Sequence, residues 1–341
     1  MPAGRRAHRG GQKMTALEAV DQVEILVLVD NVTDNLSSTP VFVETEIAAL
    51  GRRRRGAWVL AGDCLCCAAH GLACLVTVTK GGTRRTLLFD AGPEDRTFEQ
   101  NVSRLGADLG AVEAMVLSHG HWDHGGAMLR ALQIVRDRNG GREVPYYAHP
   151  DMFRSRGAKL PDGSVRPMQD VPSVAALTAY GARVINTTEP GFPLDGLAYV
   201  SGEIPRVTPF ETGLPGQHRR TLDGKGWEPD ELLMDERFLA VHVAGKGLVV
   251  LSACSHAGIV NVLTHARATF PDIPLHAAMG GLHLSGTNER VIPETVESLK
   301  SFDLDVIAAG HCTGWRAMTA LANAFGDKKL MPLAVGKRFT F

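Results

Sequence analysis

A short apolar run at residues 114–117 passes directly into Ser118-His119-Gly120-His121-Trp122-Asp123-His124-Gly125-Gly126, and no other feature constrains the chain as tightly. The run itself reads as a buried strand. His119 and His121 are two positions apart, so in extended backbone leaving that strand their side chains fall on one side. Asp123 and His124 follow where the chain can turn into a helix, expected to continue over 125–136. Four donor side chains within six residues can therefore converge on one small volume. Neutral imidazole and carboxylate suit Zn²⁺ and related divalent ions, and Gly120, Gly125 and Gly126 permit close backbone approach. A metal-free surface histidine cluster is the alternative. A lone HxH would favour that alternative, whereas HxHxDH at the end of an apolar strand favours a metal.

The rest of the chain supplies a framework for such a strand end. Residues 23–29 read as a buried strand closing on Asp30-Asn31, and an amphipathic helix is expected around 41–50. Strands at 72–79 and 86–89 join across Lys80-Gly81-Gly82, a hairpin signal, and a helix follows at 98–105. Residues 150–235 are richer in turns, with a helix at 173–180 and a long loop through 213–227. A second hairpin, 238–243 with 247–251, turns at Ala244-Gly245-Lys246. After it come a helix (260–269), a strand (275–279), a helix (293–302), a strand (306–309), a helix (315–324) and a strand-like tail. Each half thus opens with a hairpin and closes with strand–helix alternation. That loose duplication predicts an α/β fold, an αββα sandwich of two mixed sheets face to face with helices on the outer faces.

Charge and composition exclude several classes. Lys and Arg number 36 against 37 Asp and Glu, a formal net charge of −1. Nothing in that balance attracts nucleic acid or an anionic membrane. No apolar run approaches the roughly 20 residues that span a bilayer. The basic, Gly-rich start has no apolar stretch behind it, so it does not read as an export signal. Residues 1–20 are expected to be a disordered extension and 21–341 a single domain. The six cysteines (Cys64, Cys66, Cys67, Cys74, Cys254, Cys312) lack the dense spacing of a small secreted domain, so a reducing cytoplasm is the expected setting.

The His-rich segment resembles the signature of the metallo-β-lactamase superfamily, and the other pieces stand in order. Asp90, in Leu87-Leu88-Phe89-Asp90-Ala91-Gly92, matches the acid after an early strand. His256, in Cys254-Ser255-His256-Ala257-Gly258, and His311, in Gly310-His311-Cys312-Thr313-Gly314, match the third and last histidines. More narrowly, the chain resembles the subgroup called 7,8-dihydropterin-6-yl-methyl-4-(β-D-ribofuranosyl)aminobenzene 5′-phosphate synthase-like. The shared features are Val29-Asp30-Asn31, His70-Gly71-Leu72, Gly202-Glu203-Ile204-Pro205-Arg206 with Phe210-Glu211, and Gly280-Gly281-Leu282-His283-Leu284. The resemblance runs from about residue 23 to the C-terminus. It implies that His119, His121 and His256 hold one divalent metal and that Asp123, His124 and His311 hold a second, both most simply zinc, with manganese or iron as alternatives. Asp90 would fix a ligand imidazole by accepting its hydrogen bond. Two such metals, about 3.5–4 Å apart, lower the pKa of a shared water toward about 7.

One departure stands out. Many superfamily hydrolases carry a bridging carboxylate between the third and fourth histidines. Here that interval holds Asp272, Glu289, Glu294, Glu297, Asp303 and Asp305, none in a bridging context, and Gly280-Gly281-Leu282-His283 stands where the bridge is expected. His283 is either a substitute ligand or substrate contact, or a packed histidine. Ala69 and Ala73 stand where the subgroup often has Glu and Ser.

The candidate catalytic residues are Asp123, Asp90 and Arg206. Arg206 is either a bidentate anion clamp or the structural ion-pair partner of Glu203 or Glu211. Trp122 either walls the site or anchors its loop. Cys64, Cys66 and Cys67 lack a second cysteine pair and read as free thiols. Cys254 and Cys312 read as packing beside the ligand histidines, and Arg52 to Arg55 as a solvated face. The leading expectation is a hydrolase in which metal-activated water attacks a phosphoester or related small anionic substrate. The alternatives are a transferase of pterin metabolism, as the subgroup label implies, and a non-catalytic binding protein that retains its metal.

Overall fold

The computed structural model describes residues 16–54 and 58–341. Two mixed sheets face each other. The larger runs in the order Ala182–Asn186, Val144–Ala148, Val112–Val116, Thr83–Phe89, Ala73–Lys80, Gln22–Val29, Arg338–Thr340, Val43–Glu44. The smaller runs Ala19–Val20, Phe238–Val243, Gly247–Ser252, Leu275–Gly281, Val306–Gly310, with Tyr199–Val200 also paired to Phe238–Val243.

Alternation along the strands explains the layering. On Gln22–Val29, Val23, Ile25 and Val27 point between the sheets, where they meet Leu239, Val241, Val249, Leu251 and Met279. Leu26 and Leu28 point the other way, beneath Phe98, Val102 and Leu132 of the helices Asp95–Leu105 and Met128–Arg138. This is the two-residue period of a strand buried on both faces. Leu248, Val250 and Ile307 of the second sheet likewise pack under the helices Ile259–Thr269, Ile292–Lys300 and Trp315–Lys329. The αββα sandwich expected from the alternation is the observed fold. The first hairpin turns where expected: Lys80 pairs with Thr83, and Gly81 and Gly82 have φ of 54° and 78°. A two-residue turn with positive φ at both central positions matches the twist of its strands.

Three expectations need correction. The extension expected at 1–20 lies outside the described residues through 15, but Ala19 and Val20 pair in parallel with His242 and Val243, so the folded body starts earlier. The loop expected at 213–227 contains the strand Gln217–Arg220 and the start of Trp227–Pro229. Together with Arg156–Lys159 and Val165–Pro167 these form a third, four-stranded sheet. The long helix expected at 125–136 is two helices, Trp122–Gly125 and Met128–Arg138. Arg55, the last of the four arginines, lies outside the described residues. Among the described residues no helix is long and apolar enough to cross a membrane.

Candidate metal centre

The functional side chains all sit where strands of the two facing sheets end. Gln22–Val29 delivers Asp30 and Asn31, Thr83–Phe89 delivers Asp90, and Val112–Val116 delivers the segment 118–124. From the other sheet, Gly247–Ser252 delivers Cys254 and His256, Leu275–Gly281 delivers His283, and Val306–Gly310 delivers His311. Crevices outside the carboxyl ends of strands are where open α/β sheets place their ligands. The chain turns sharply there: Asp90, Ser255, His283 and His311 have φ between 42° and 59°, a region costly for residues with a Cβ and concentrated at functional sites.

Two donor sets form. In the first, His119 Nε2 lies 3.1 Å from His121 Nδ1 and 3.2 Å from His256 Nε2. In the second, Asp123 Oδ2 lies 3.6 Å from His124 Nε2 and 3.4 Å from His311 Nε2. Each set satisfies the mutual distances of a cation site, and all six residues are buried. The second set also faces His70, whose Nε2 is 3.5 Å from Asp123 Oδ2.

Hydrogen bonds on the far side of the rings fix which nitrogens carry lone pairs. Asp90, fully buried, accepts from the backbone N–H and hydroxyl of Ser118 at 2.8 and 2.7 Å and from His124 Nδ1 at 2.8 Å. The Ser118 hydroxyl is thereby committed to Asp90, so it accepts from His119 Nδ1 at 2.9 Å. One carboxylate thus turns Nε2 of both His119 and His124 inward. On the other side, Asn31 Oδ1 accepts from His311 Nδ1 at 3.0 Å and from the Gly71 N–H at 3.1 Å. Its Nδ2 then donates to His70 Nδ1 at 3.0 Å. His311 Nε2 is left as a lone pair and His70 Nε2 as an N–H donor.

The electrostatics agree with cation binding. Burial first, then the charges of neighbouring rings, hold His119 and His256 well below the ordinary histidine value. Burial and the Arg156 charge push His121 down to about 3. These rings are neutral, as ligation requires. Burial alone would raise Asp123 and lower His124. It is overcome by the charge each sees in the other, aided by His311 and Asp90, so Asp123 lies well below the carboxylate range and His124 rises to about 9. Buried ring atoms also lack partners: His121 Nε2, His256 Nδ1 and His311 Nε2 make no hydrogen bond. His119 Nε2, left as a lone pair by the Nδ1 bond to Ser118, has ring nitrogens of His121 and His256 at 3.1 and 3.2 Å, and three such donors fit a single divalent cation.

The supporting loops are pinned from below. Asp235 accepts from the Gly120 N–H at 2.8 Å and pairs with Arg156, also at 2.8 Å. A Cβ at Gly120 would lie 2.1 Å from Arg156 Nη1 and 2.4 Å from the Met152 carbonyl, so only glycine fits between the two histidines. Glu236, fully buried, accepts the His256 and Ala257 N–H groups at 2.8 and 2.6 Å. Above the donor sets opens a cavity of about 460 Å³. Its lining includes Trp122, Met168 and Leu214 on the apolar side and His70, His283 and Ser285 on the polar side.

Arg206 is not at this site. Its guanidinium donates to the carbonyls of Ile204, Leu232 and Leu233, and it is absent from the cavity lining. Neither reading of it holds. Glu203 pairs instead with His149 at 3.1 Å, and Glu211 accepts the Val260 and Asn261 N–H groups, each at 2.8 Å. His283 does line the cavity, its ring 4.3 Å from that of His256. Trp122 lines it too. Cys64, Cys66 and Cys67 are free thiols, as are Cys254 and Cys312. Cys254 does lie beside a ligand histidine, its Sγ 3.2 Å from His124 Nε2. Sequence reasoning gave no role to Asn31, His70, Asp235 or Glu236. Asp30-Asn31 had a usable signal, since like Asp90 it is a polar stop directly after an apolar strand.

A family model described as the metallo-beta-lactamase superfamily matches residues 71–221. The chain is 27% identical over 263 residues to the 7,8-dihydropterin-6-methyl-4-(beta-D-ribofuranosyl)-aminobenzene-5′-phosphate synthase of Methanocaldococcus jannaschii, covering 76% of this chain and 85% of that one. An uncharacterized protein of the same organism is 27% identical over 255 residues, covering 75% and 88%. Among solved structures, one described as a metal-dependent hydrolase of the beta-lactamase superfamily superposes with a TM-score of 0.66. Its identity to this chain is 20%, over 93% of this chain and 98% of that one.

Proposed function

We propose that this chain is a member of the metallo-β-lactamase superfamily and a metal-dependent hydrolase of a small anionic substrate, a phosphoester in the first instance. The observation that carries the reading is the pair of adjacent donor sets opening into one cavity. His119, His121 and His256 would hold one divalent ion, and Asp123, His124 and His311 the other, zinc being the simplest choice for this donor chemistry. When bound, the two ions supply Lewis acidity and bring the pKa of a water toward about 7.

The residues around them supply the rest. Asp90 and Asn31 hold the ligand rings in their inward tautomers. His70 Nε2–H is a neutral donor facing the second set, placed to meet a substrate oxygen. Trp122, Met168 and Leu214 exclude water from one side. None of the described lining residues is lysine or arginine, so the charge that draws an anion comes from the ions themselves. Two dications opposite the single carboxylate of Asp123 leave a positive surplus.

The test is a panel of phosphomonoesters, phosphodiesters, carboxylic esters and lactones, offered to protein reconstituted with zinc, manganese or iron. Turnover of a phosphoester that chelator abolishes is expected, and a flat response across the panel overturns the reading. The likeness to the archaeal synthase favours a second reading, transfer of a dihydropterin-6-methyl group to a ribofuranosyl-aminobenzene phosphate at the same centre. Condensation of a dihydropterin-6-methyl donor carrying a leaving group with such an aminobenzene, releasing that leaving group and without ester hydrolysis, would decide for it.

A further inference from the structure

The strand that should carry a bridging ligand cannot. Gly280, next to last in Leu275–Gly281, has φ of 116°, and a Cβ there would lie 1.8 Å from the Ser252 carbonyl oxygen. The backbone of the neighbouring strand fills the space. A side chain from that neighbouring strand's own end does reach the middle. Cys254, 2% exposed, places Sγ within 4.8 Å of a ring nitrogen of His119 and one of His124, themselves within 4.8 Å of each other. His119 belongs to the first donor set and His124 to the second. His311 Nε2, also buried, points into the second set with no hydrogen-bond partner.

We propose that Cys254 is a thiolate ligand shared between the two metal centres, in place of a carboxylate bridge. The inference rests on the metal-centre reading above and adds a donor to it. Cys312 is the obvious rival, and the contacts separate the two. Cys312 Sγ donates to the Cys254 carbonyl oxygen at 3.6 Å and groups with Cys254 and His283, not with a nitrogen of either donor set. Cys254 Sγ instead faces His124 Nε2 at 3.2 Å, the ring nitrogen left to reach a metal because Nδ1 is held by Asp90. Cys254 Sγ and His124 Nε2 would hold a divalent ion only after giving up their protons to solvent, and a coordinating thiol is deprotonated outright. A thiolate also narrows the choice of metal, favouring zinc or ferrous iron over manganese.

Cobalt(II) tests this without reference to turnover. The full chain and its Cys254→Ser, Cys254→Asp and Cys312→Ser variants are loaded with cobalt, counted for metal, and scanned in the near ultraviolet for sulfur-to-cobalt charge transfer. The band is expected in the parent and in Cys312→Ser and lost in both Cys254 variants, with Cys254→Asp still holding two cobalts per chain. Two bound cobalts without the band overturn the proposal, as does a band that survives in Cys254→Ser or vanishes in Cys312→Ser. Failure of the parent to bind cobalt overturns it as well. Should the serine variant fail to fold, X-ray absorption of the zinc-loaded parent decides, one sulfur neighbour supporting the proposal and none refuting it. A band without phosphoester turnover sinks the hydrolase reading alone. Turnover without a band sinks only the thiolate.

Discussion

Asp90 is the residue on which most of the site's order converges, because one carboxylate orients His124 directly and His119 through Ser118. Asp90→Asn keeps the shape but turns an acceptor toward His124 into an amide that can face it with N–H. Outer partners of ligand histidines are typically worth about 10–100-fold in metal affinity. We expect a loss of that size, shared by both centres and read by competition with a chromophoric chelator; unchanged affinity would refute the orienting role. Asn31→Leu tests the other side. It frees the tautomers of His311 and His70 together, so the second centre alone should weaken by a similar factor while the three-histidine set keeps its metal. The two residues were not equally legible. Asp90 follows a clear apolar strand and matches a family position. Asn31 acts on His311, 280 residues away, and no local pattern in a single sequence carries a contact of that span.

The strands of the two facing sheets and the helices packed on them were readable because their patterns are strong. Apolar runs of the right length and glycine turns point the same way there. The small sheet was not readable. Its strands, such as Gln217–Arg220 and Arg156–Lys159, are short and rich in arginine and lysine, with no apolar alternation to announce them. Yet this part of the chain brings Met168 and Leu214 to the cavity rim, so it shapes substrate fit. Met168→Ala together with Leu214→Ala should raise KM with kcat and metal content little changed, and a loss of metal would show that the rim supports the ligands instead. The loop bearing His256 makes a different demand. Glu236 satisfies two buried N–H groups there, and removing one partner of buried donors costs about 1–3 kcal/mol. Glu236→Ala should lose about that much stability in denaturant unfolding and loosen the first centre. Unaltered stability would mean that water or another group replaces the carboxylate.

Across the whole molecule, the donors come from both sheets: residues 119–124 from the larger, His256 and His311 from the smaller. Metal therefore ties the two halves of the sandwich together, and a ligand that binds only the folded state at 1,000 times its dissociation constant adds about 4 kcal/mol. The gain depends on pH through His124. In the metal-free protein its imidazole holds a proton up to about pH 9, and a cation must displace that proton to reach Nε2. Below about 9 the affinity of the second centre should thus fall about tenfold per pH unit for this proton alone. The neutral rings of His119, His121 and His256 impose no such cost near neutrality. The difference in Tm between zinc-loaded and chelator-treated protein should then widen as pH rises from about 6 to 9, with the binding of the second equivalent releasing protons in calorimetry. A gap that stays constant over that range, or narrows, would show that His124 enters the metal-free site already neutral and that the pair with Asp90 and Asp123 does not hold its proton.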